Sequence, residues 1–271
     1  MLLFAAPMAF AQTTPQWDTS ARGKASFTQA GFYRWHDGGV SSLALSVGLT
    51  GKAGREGSRW NQEHEAQLAY GLVKQNGLDV RKAEDVIHVH LSFSNTDHLF
   101  LGKIHPSLAV DLRSQFSSGY DYSKATAPVR ISGFLAPATF VETLGINVDQ
   151  KNYANAHLGI AAKQTLVTDQ SLRSRYKVRE SSVIRNELGL STIIKVDHGI
   201  FPNVHLDQTI QLFASFNQPN RPDLLSETLI TMTVNRWLHV NLEYVAKLDR
   251  DVARSIQMKE LLSLGISFVL I

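Results

Sequence analysis

The sequence has no cysteine and, after its first residues, no long apolar run. Without cysteine no disulfide can hold the chain together, so a closed hydrogen-bonded sheet or a large core must do so. A membrane-spanning helix needs roughly 20 consecutive apolar residues, and the chain offers no such segment. If this protein sits in a membrane, it must therefore cross it as strands.

Charge and hydropathy restrict the class of protein further. The formal net charge is only +3 and no basic stripe with interleaved aromatic residues occurs, so no nucleic acid is expected as a partner. The mean hydropathy of −0.11 is low for a bundle of membrane helices. Such a value is typical of a β-barrel, whose inward side chains are polar. A length of 271 residues suits a single barrel domain.

The amino-terminal residues predict export. Residues 1–12 read MLLFAAPMAFAQ, an apolar run that ends in the small-x-small pattern Ala9-Phe10-Ala11. This pattern is typical of a secretory cleavage site. We therefore expect a signal peptide at 1–11 and a single outer-membrane barrel domain at 12–271. A buried first strand is the alternative for the same apolar residues.

The most informative pattern is an alternation of apolar and polar side chains with a period of two. Between Ile230 and Leu248 most even positions are apolar and most odd positions are polar. Successive side chains of a strand point to opposite faces, so this segment has one apolar and one polar face. Because the pattern recurs along most of the chain, we predict an all-β fold, an antiparallel transmembrane β-barrel with an apolar exterior.

About twelve strands are predicted, most of them long enough to cross a bilayer. The predicted spans are 24–34, 40–50, 59–73, 84–94, 103–116, 130–148, 154–166, 182–196, 203–216, 226–235, 237–248 and 258–270.

The connections between these strands predict the orientation. With the amino terminus in the periplasm, the outward connections are longer on average than the inward ones, as in outer-membrane barrels. The outward set is 35–39, 74–83, 117–129, 167–181, 217–225 and 249–257. The inward set is 51–58, 95–102, 149–153, 197–202 and 235–237. The expected location is the outer membrane of a Gram-negative bacterium.

Polar side chains on the inward faces are the candidate binding residues. They are Glu63, Glu65, His88, His90, Asp111, Arg113, Arg185, Glu187, His205 and Asp207. Twelve strands make a barrel wider than the filled eight-stranded kind and narrower than a porin. The charges either pair across the lumen and close it or line a narrow polar passage. A closed lumen is favoured, because unpaired charges in a confined space are costly.

Two histidines raise the question of a metal. His88 and His90 are two residues apart on one strand face, and His105 with Glu63 or Glu65 could complete a site. The alternative is that both rings bond to acids or water in the lumen. We expect the alternative, with no metal and no cofactor.

Several segments carry a family resemblance. The longest are Ser114-Gln115-Phe116-Ser117-Ser118-Gly119-Tyr120-Asp121-Tyr122 and Ile131-Ser132-Gly133-Phe134-Leu135-Ala136-Pro137-Ala138. Shorter ones include Trp35-His36-Asp37-Gly38-Gly39 and Arg81-Lys82-Ala83-Glu84-Asp85. Together they resemble an uncharacterised Bacteroidetes family known as domain of unknown function 3078, from about residue 27 to the carboxyl end. The resemblance implies an exported, β-rich envelope protein and no particular activity.

The sequence lacks the usual enzymatic signatures. His64-Glu65 is not followed by a second histidine at the zincin spacing, and no G-x-S-x-G motif occurs. We therefore expect a non-enzymatic outer-membrane barrel, either a narrow channel or a structural and assembly component of the envelope. Its expected partners are outer-membrane lipid and, during biogenesis, the barrel assembly machinery.

Two alternatives and one surface hypothesis stay open. His64 faces outward near Trp60, so a barrel enzyme acting on lipid is one alternative. A soluble exported barrel that binds a ligand is the other. Four cations in the longest outer connection could bind anionic headgroups or polysaccharide, although such a run is more often a solvated loop. They are Arg173, Arg175, Lys177 and Arg179.

Overall fold

The computed structural model describes residues 16–31, 40–97, 104–122, 127–151, 153–252 and 255–271. It shows a closed antiparallel barrel of twelve strands and a separate two-stranded hairpin. The predicted all-β barrel and its number of strands are confirmed. The predicted signal peptide at 1–11 and the predicted connection at 35–39 lie outside the described residues. Within the described ranges, no helix has the length and apolar character needed to span a membrane.

The barrel strands follow one another around the wall almost in chain order. They are β1 (Asp18–Ala30), β2 (Ser42–Arg55), β3 (Trp60–Gln75), β4 (Arg81–Asn95), β5 (Ile104–Ser114), β8 (Ala138–Lys151), β9 (Ala154–Leu166), β10 (Ile184–Phe201), β11 (Val204–Ser215), β12 (Asp223–Thr233), β13 (Leu238–Leu248) and β14 (Gln257–Val269). The last strand pairs with the first and closes the barrel. The hairpin consists of β6 (Gly119–Asp121) and β7 (Val129–Ser132).

The period-two alternation decides which side chains face outward. Leu144 on β8 has 71% of its surface exposed on the outside of the barrel, whereas its neighbour Thr143 faces the interior and is 1% exposed. Register partners share a face, so Ile230 lies beside Leu242 and Thr231 beside Asn241. The exterior is therefore a continuous apolar band and the interior is polar.

The two ends of the barrel differ, as expected. One end, here called the turn end, carries both ends of the described chain and the short turns at 56–59, 202–203 and 234–237. The other, here called the loop end, carries longer segments, including 167–183 and the described residues 115–122 and 127–137.

Several predicted strand boundaries were wrong at the turn end. The first strand occupies Asp18–Ala30 instead of 24–34, and β2 continues to Arg55 through the predicted turn 51–58. Gly51 is paired on both sides, with Ala21 of β1 and Ala66 of β3, so β2 continues through it. Strand β10 runs to Phe201 through part of the predicted connection 197–202, because its residues still pair with β11 there.

The predicted strand 130–148 was also wrong at its start. The span 130–148 contains two elements, because the bridge between Gly133 and Ala136 interrupts it. Residues before this bridge belong to the hairpin β6–β7, and the barrel strand begins only at Ala138.

The two longest segments at the loop end pack together into a cap. Its small apolar core consists of Ala136, Val167, Leu172 and Val178, with Tyr176 against it. The Tyr176 hydroxyl donates a hydrogen bond to the Ile131 carbonyl at 2.7 Å. An ion pair between Arg130 and Asp169, also at 2.7 Å, joins the same two segments. We call residues 115–122, 127–137 and 167–183 the cap.

Candidate functional site

The polar interior is organised around Asp111, a carboxylate on β5 that is 4% exposed. Nε2 of His88 and Nδ1 of His90 lie 2.8 and 3.3 Å from its Oδ2 atom. Gln211 on β11 donates to the same oxygen at 3.2 Å, and Arg113 donates to Oδ1 at 3.3 Å. Four side chains from three strands thus converge on one carboxylate, which satisfies the bonding of a buried charge.

Arg113 also reaches across the lumen. Its Nη1 and Nη2 atoms donate to the two carboxylate oxygens of Glu227 at 2.9 and 2.8 Å. Four strands separate β5 from β12 along the shorter way around the barrel. This pair is therefore a strut through the lumen, and its two parallel hydrogen bonds are the strong bidentate geometry of arginine and carboxylate.

Further ion pairs cross the lumen towards both ends. Lys195 on β10 lies 3.7 Å from Glu65 on β3, again with four strands between them. Lys52 lies 4.0 Å from Asp197 at the exposed turn end. Nearer the loop end, Lys163 on β9 pairs with Asp223 at the start of β12. The charges of opposite sign are thus paired at several levels of the barrel.

The loop-end mouth is bridged by Asp251, which follows β13. Its carboxylate accepts hydrogen bonds from Lys177 of the cap at 2.7 Å and from Arg185 of β10 at 2.5 Å. Burial alone raises the pKa of Asp251, but the bonds from Lys177 and Arg185 together outweigh burial and hold the pKa below its ordinary value of 3.8. The ionised carboxylate therefore ties the cap to the barrel wall.

We expect the protection of the cap amides from hydrogen exchange to depend on pH through the Asp251 carboxylate. The pKa of Asp251 is lower in the folded protein than its ordinary value of 3.8. The contribution of Asp251 to the stability of the cap is therefore complete above pH 3.8 and is lost as the pH falls through the lower folded pKa. Hydrogen–deuterium exchange of residues 167–183, corrected for intrinsic exchange, measures this. In Asp251→Asn these amides should exchange faster than in the parent at about pH 6. The difference should vanish at low pH, and a difference that is the same at every pH would contradict the assignment.

The ten predicted lumen residues fall into three groups. His88, His90, Asp111 and Arg113 form the central network just described. Arg185 and Glu187 form an ion pair of 2.9 Å at the loop end. The third group lies towards the turn end and comprises Glu63, Glu65, His205 and Asp207. There His205 bonds to Asp197 at 2.7 Å, and Asp207 is the register partner of Asp197.

Sequence reasoning missed several members of the network. They are Glu227, Gln211, Lys163, Asp223 and Asp251. Glu227 is on the polar face of a strand that was predicted, so the alternation itself could have identified it. Asp251 lies in a connection, where no periodicity indicates a direction.

The two histidines of the predicted pair lie beside an acid of the lumen. Both rings bond to Asp111, while Nδ1 of His105 lies 3.0 Å from the carbonyl of Asn95. Among the residues that the structure describes, no group of three or more His, Cys, Asp and Glu side chains could hold a metal ion.

The structure also describes contacts of the cations in the predicted outer connection and of His64. Arg173 donates to the Glu180 carbonyl at 2.6 Å within the cap, whereas Lys177 donates to Asp251 outside it. His64 lies on the outer face. The centroid of its ring is 5.6 Å from that of Trp17 and 5.2 Å from that of Phe93. The described contacts of His64 do not include a serine.

Comparison with known proteins agrees with the family resemblance over part of the chain. Residues 27–120 match the family described as "Protein of unknown function (DUF3078)". No curated protein matches the sequence. The Bacteroidetes origin and the resemblance beyond residue 120 stay predictions.

Among solved structures, the translocator domain of the autotransporter NalP from Neisseria meningitidis is 9% identical, with a TM-score of 0.37 and coverage of 96% of this chain and 90% of that chain. The NanC porin is 12% identical, with a TM-score of 0.39 and coverage of 91% and 98%. The toluene transporter TodX from Pseudomonas putida is 10% identical, with a TM-score of 0.31 and coverage of 96% and 90%. These similarities are slight and identify no function.

Proposed function

We propose that this protein is a non-enzymatic outer-membrane β-barrel of a Gram-negative bacterium, with a lumen that is closed at rest. It serves the envelope as a structural or assembly component rather than as an open pore. Its apolar exterior is in contact with outer-membrane lipid, and the barrel assembly machinery inserts it. Two features support the membrane location. The outward side chains form an apolar band, and a closed barrel satisfies its backbone hydrogen bonds in lipid and has no free edge.

The single observation that carries the closed state is the bidentate pair between Arg113 and Glu227. The pair spans the lumen, and the Arg113 side chain is only 19% exposed. An ion that passed this level would have to displace one partner and leave the other charge unpaired in a confined space, which is costly. Asp111 and Gln211 occupy the same level and add to the obstruction.

Planar-bilayer recording of the refolded protein tests this function. We expect the parent protein to show no stable conductance steps, and the double variant Arg113→Ala with Glu227→Ala to show them. Removing the pair shortens both side chains and keeps the net charge unchanged. The matched control is Lys259→Ala with Glu243→Ala, which removes a lumen pair between the neighbouring strands β14 and β13 and should stay closed.

Three results would contradict the proposal. Steady conductance of the parent protein would favour the narrow channel. A parent protein that stays folded and dispersed in buffer without detergent would favour the soluble ligand-binding barrel. Turnover of phospholipid by the parent protein and not by His64→Ala would favour the barrel enzyme.

A further inference from the structure

Two adjoining cavities lie on the outer face of β1, β2 and β3, close to the loop end. The cavity nearer the turn end is an open groove of about 370 Å³ with an apolar lining that includes Leu45, Val47 and Leu72. The cavity nearer the loop end, here called the upper pocket, has a volume of about 340 Å³ and polar lining residues that include Gln29, Ser42 and Asn76. Leu43 and Lys74 line both cavities.

The strand register explains why polar and apolar linings meet here. Gln29, Leu43 and Lys74 are register partners on three neighbouring strands, so their side chains form one outward row. The next outward row, nearer the turn end, consists of Phe27, Leu45 and Leu72. The apolar band of the exterior thus changes to polar residues within two rows. This is the place where the headgroup of a lipid would meet its acyl chain.

Lys74 gives this border its charge. Among the described residues that line the two cavities, it is the only charged one. Its ammonium group donates one hydrogen bond to the Leu78 carbonyl at 2.6 Å. An ammonium has three donors, so two can serve a ligand without disturbing that bond. A cation next to hydroxyl and amide groups, with no carboxylate in the lining, suits a phosphate.

From this geometry we infer a specific binding site for an anionic lipid whose headgroup carries a phosphate. Its phosphate lies in the upper pocket against Lys74, and one acyl chain lies in the groove formed by Leu43, Leu45, Val47 and Leu72. The inference rests on the membrane location given under the proposed function and adds the class of lipid and its position. It does not depend on whether the lumen conducts.

Lipid retention measured by native mass spectrometry tests this site. The protein, folded in detergent, is incubated with dimyristoylphosphatidylglycerol or dimyristoylphosphatidylcholine and washed before measurement. The parent should retain phosphatidylglycerol more strongly. Lys74→Gln should weaken its retention roughly tenfold, because a hydrogen bond to a charged group contributes about that factor. Leu45→Trp should fill the groove and abolish retention of either lipid.

Two control variants make the test specific. Arg221→Gln removes an exposed positive charge at the same end of the barrel, between β11 and β12, and should retain lipid like the parent. Leu188→Trp places an outward tryptophan on β10 and should also have no effect, since Leu188 is 60% exposed and lies away from the groove.

Several outcomes would overturn the site: no retained lipid, equal retention of the two lipids by the parent, no effect of Lys74→Gln, or no effect of Leu45→Trp. Heat-sensitive electrophoretic migration first confirms that each variant has folded as a barrel. A parent protein that conducts ions yet retains phosphatidylglycerol through Lys74 would contradict the closed lumen and leave the lipid site intact.

Discussion

Gly145→Ala should prevent the barrel from closing, or destabilise it by more than about 3 kcal/mol. Gly145 on β8 and Gly159 on β9 are register partners. A Cβ atom at Gly145 would overlap the carbonyl oxygen of Leu158 and lie 2.5 Å from Cα of Gly159. These neighbours belong to the backbone and cannot rotate away as a flexible side chain could. The two strands therefore approach so closely at this point that only glycine fits.

The reciprocal position has the same restriction. A Cβ atom at Gly159 would overlap the carbonyl oxygen of Leu144. Facing glycines on neighbouring strands are a known means of bending a sheet sharply so that it can close. We interpret this pair as a corner of the barrel wall, and we expect Gly159→Ala to have an effect similar to that of Gly145→Ala.

Urea titration in detergent, monitored by tryptophan fluorescence, measures the loss of stability. Heat-sensitive electrophoretic migration gives the folded fraction. The matched control is Gly51→Ala on β2, where an added Cβ atom has no neighbour within 4 Å. That variant should be as stable as the parent or slightly more so, because alanine restricts the unfolded chain. Equal stability of Gly145→Ala and Gly51→Ala would show that the wall does not bend at β8 and β9.

Glu227→Ala should lower the free energy of unfolding by about 3–5 kcal/mol. The substitution leaves Arg113 with one carboxylate partner, Asp111, and an unpaired guanidinium edge in the lumen. The cost comes from the uncompensated charge more than from the lost pair itself. The double variant Arg113→Met with Glu227→Leu should therefore recover most of the stability, because it removes both charges and retains the volume of the side chains.

The same urea titration measures these changes. Lys52→Ala is the control, since Lys52 and Asp197 are 48% and 57% exposed and such a pair contributes roughly 0–1 kcal/mol. If Glu227→Ala lost no more stability than Lys52→Ala, the pair across the lumen would be too weak to close it. The proposed closed state would then have no basis.

The alternation predicted the architecture well because each barrel strand separates two different surroundings. A residue at position i and one at i+2 face the same side whatever the tilt of the strand, so the apolar and polar faces could be assigned locally. The same rule places Glu227 in the lumen. It does not reveal that Glu227 meets Arg113, which lies 114 residues away in the chain.

The strand boundaries were less predictable. Gly51, Lys52 and Gly54 have the composition of a turn, yet they continue β2 because β1 and β3 offer hydrogen-bonding partners on both sides. Residues 129–132 have the composition of a barrel strand, yet they form a hairpin within the cap. In both places the pairing partner, and not the local composition, decides where a strand begins or ends.

The sequence by itself determined the number of strands, their two faces and the difference between the long and short connections, since these follow from residue order along single strands. Only the tertiary structure decided which charges meet across the lumen, which glycines face each other at the corner, and where Lys74 stands above an apolar groove. These relations depend on the order, register and closure of the strands, through which residues far apart in the chain come to share one level of the barrel.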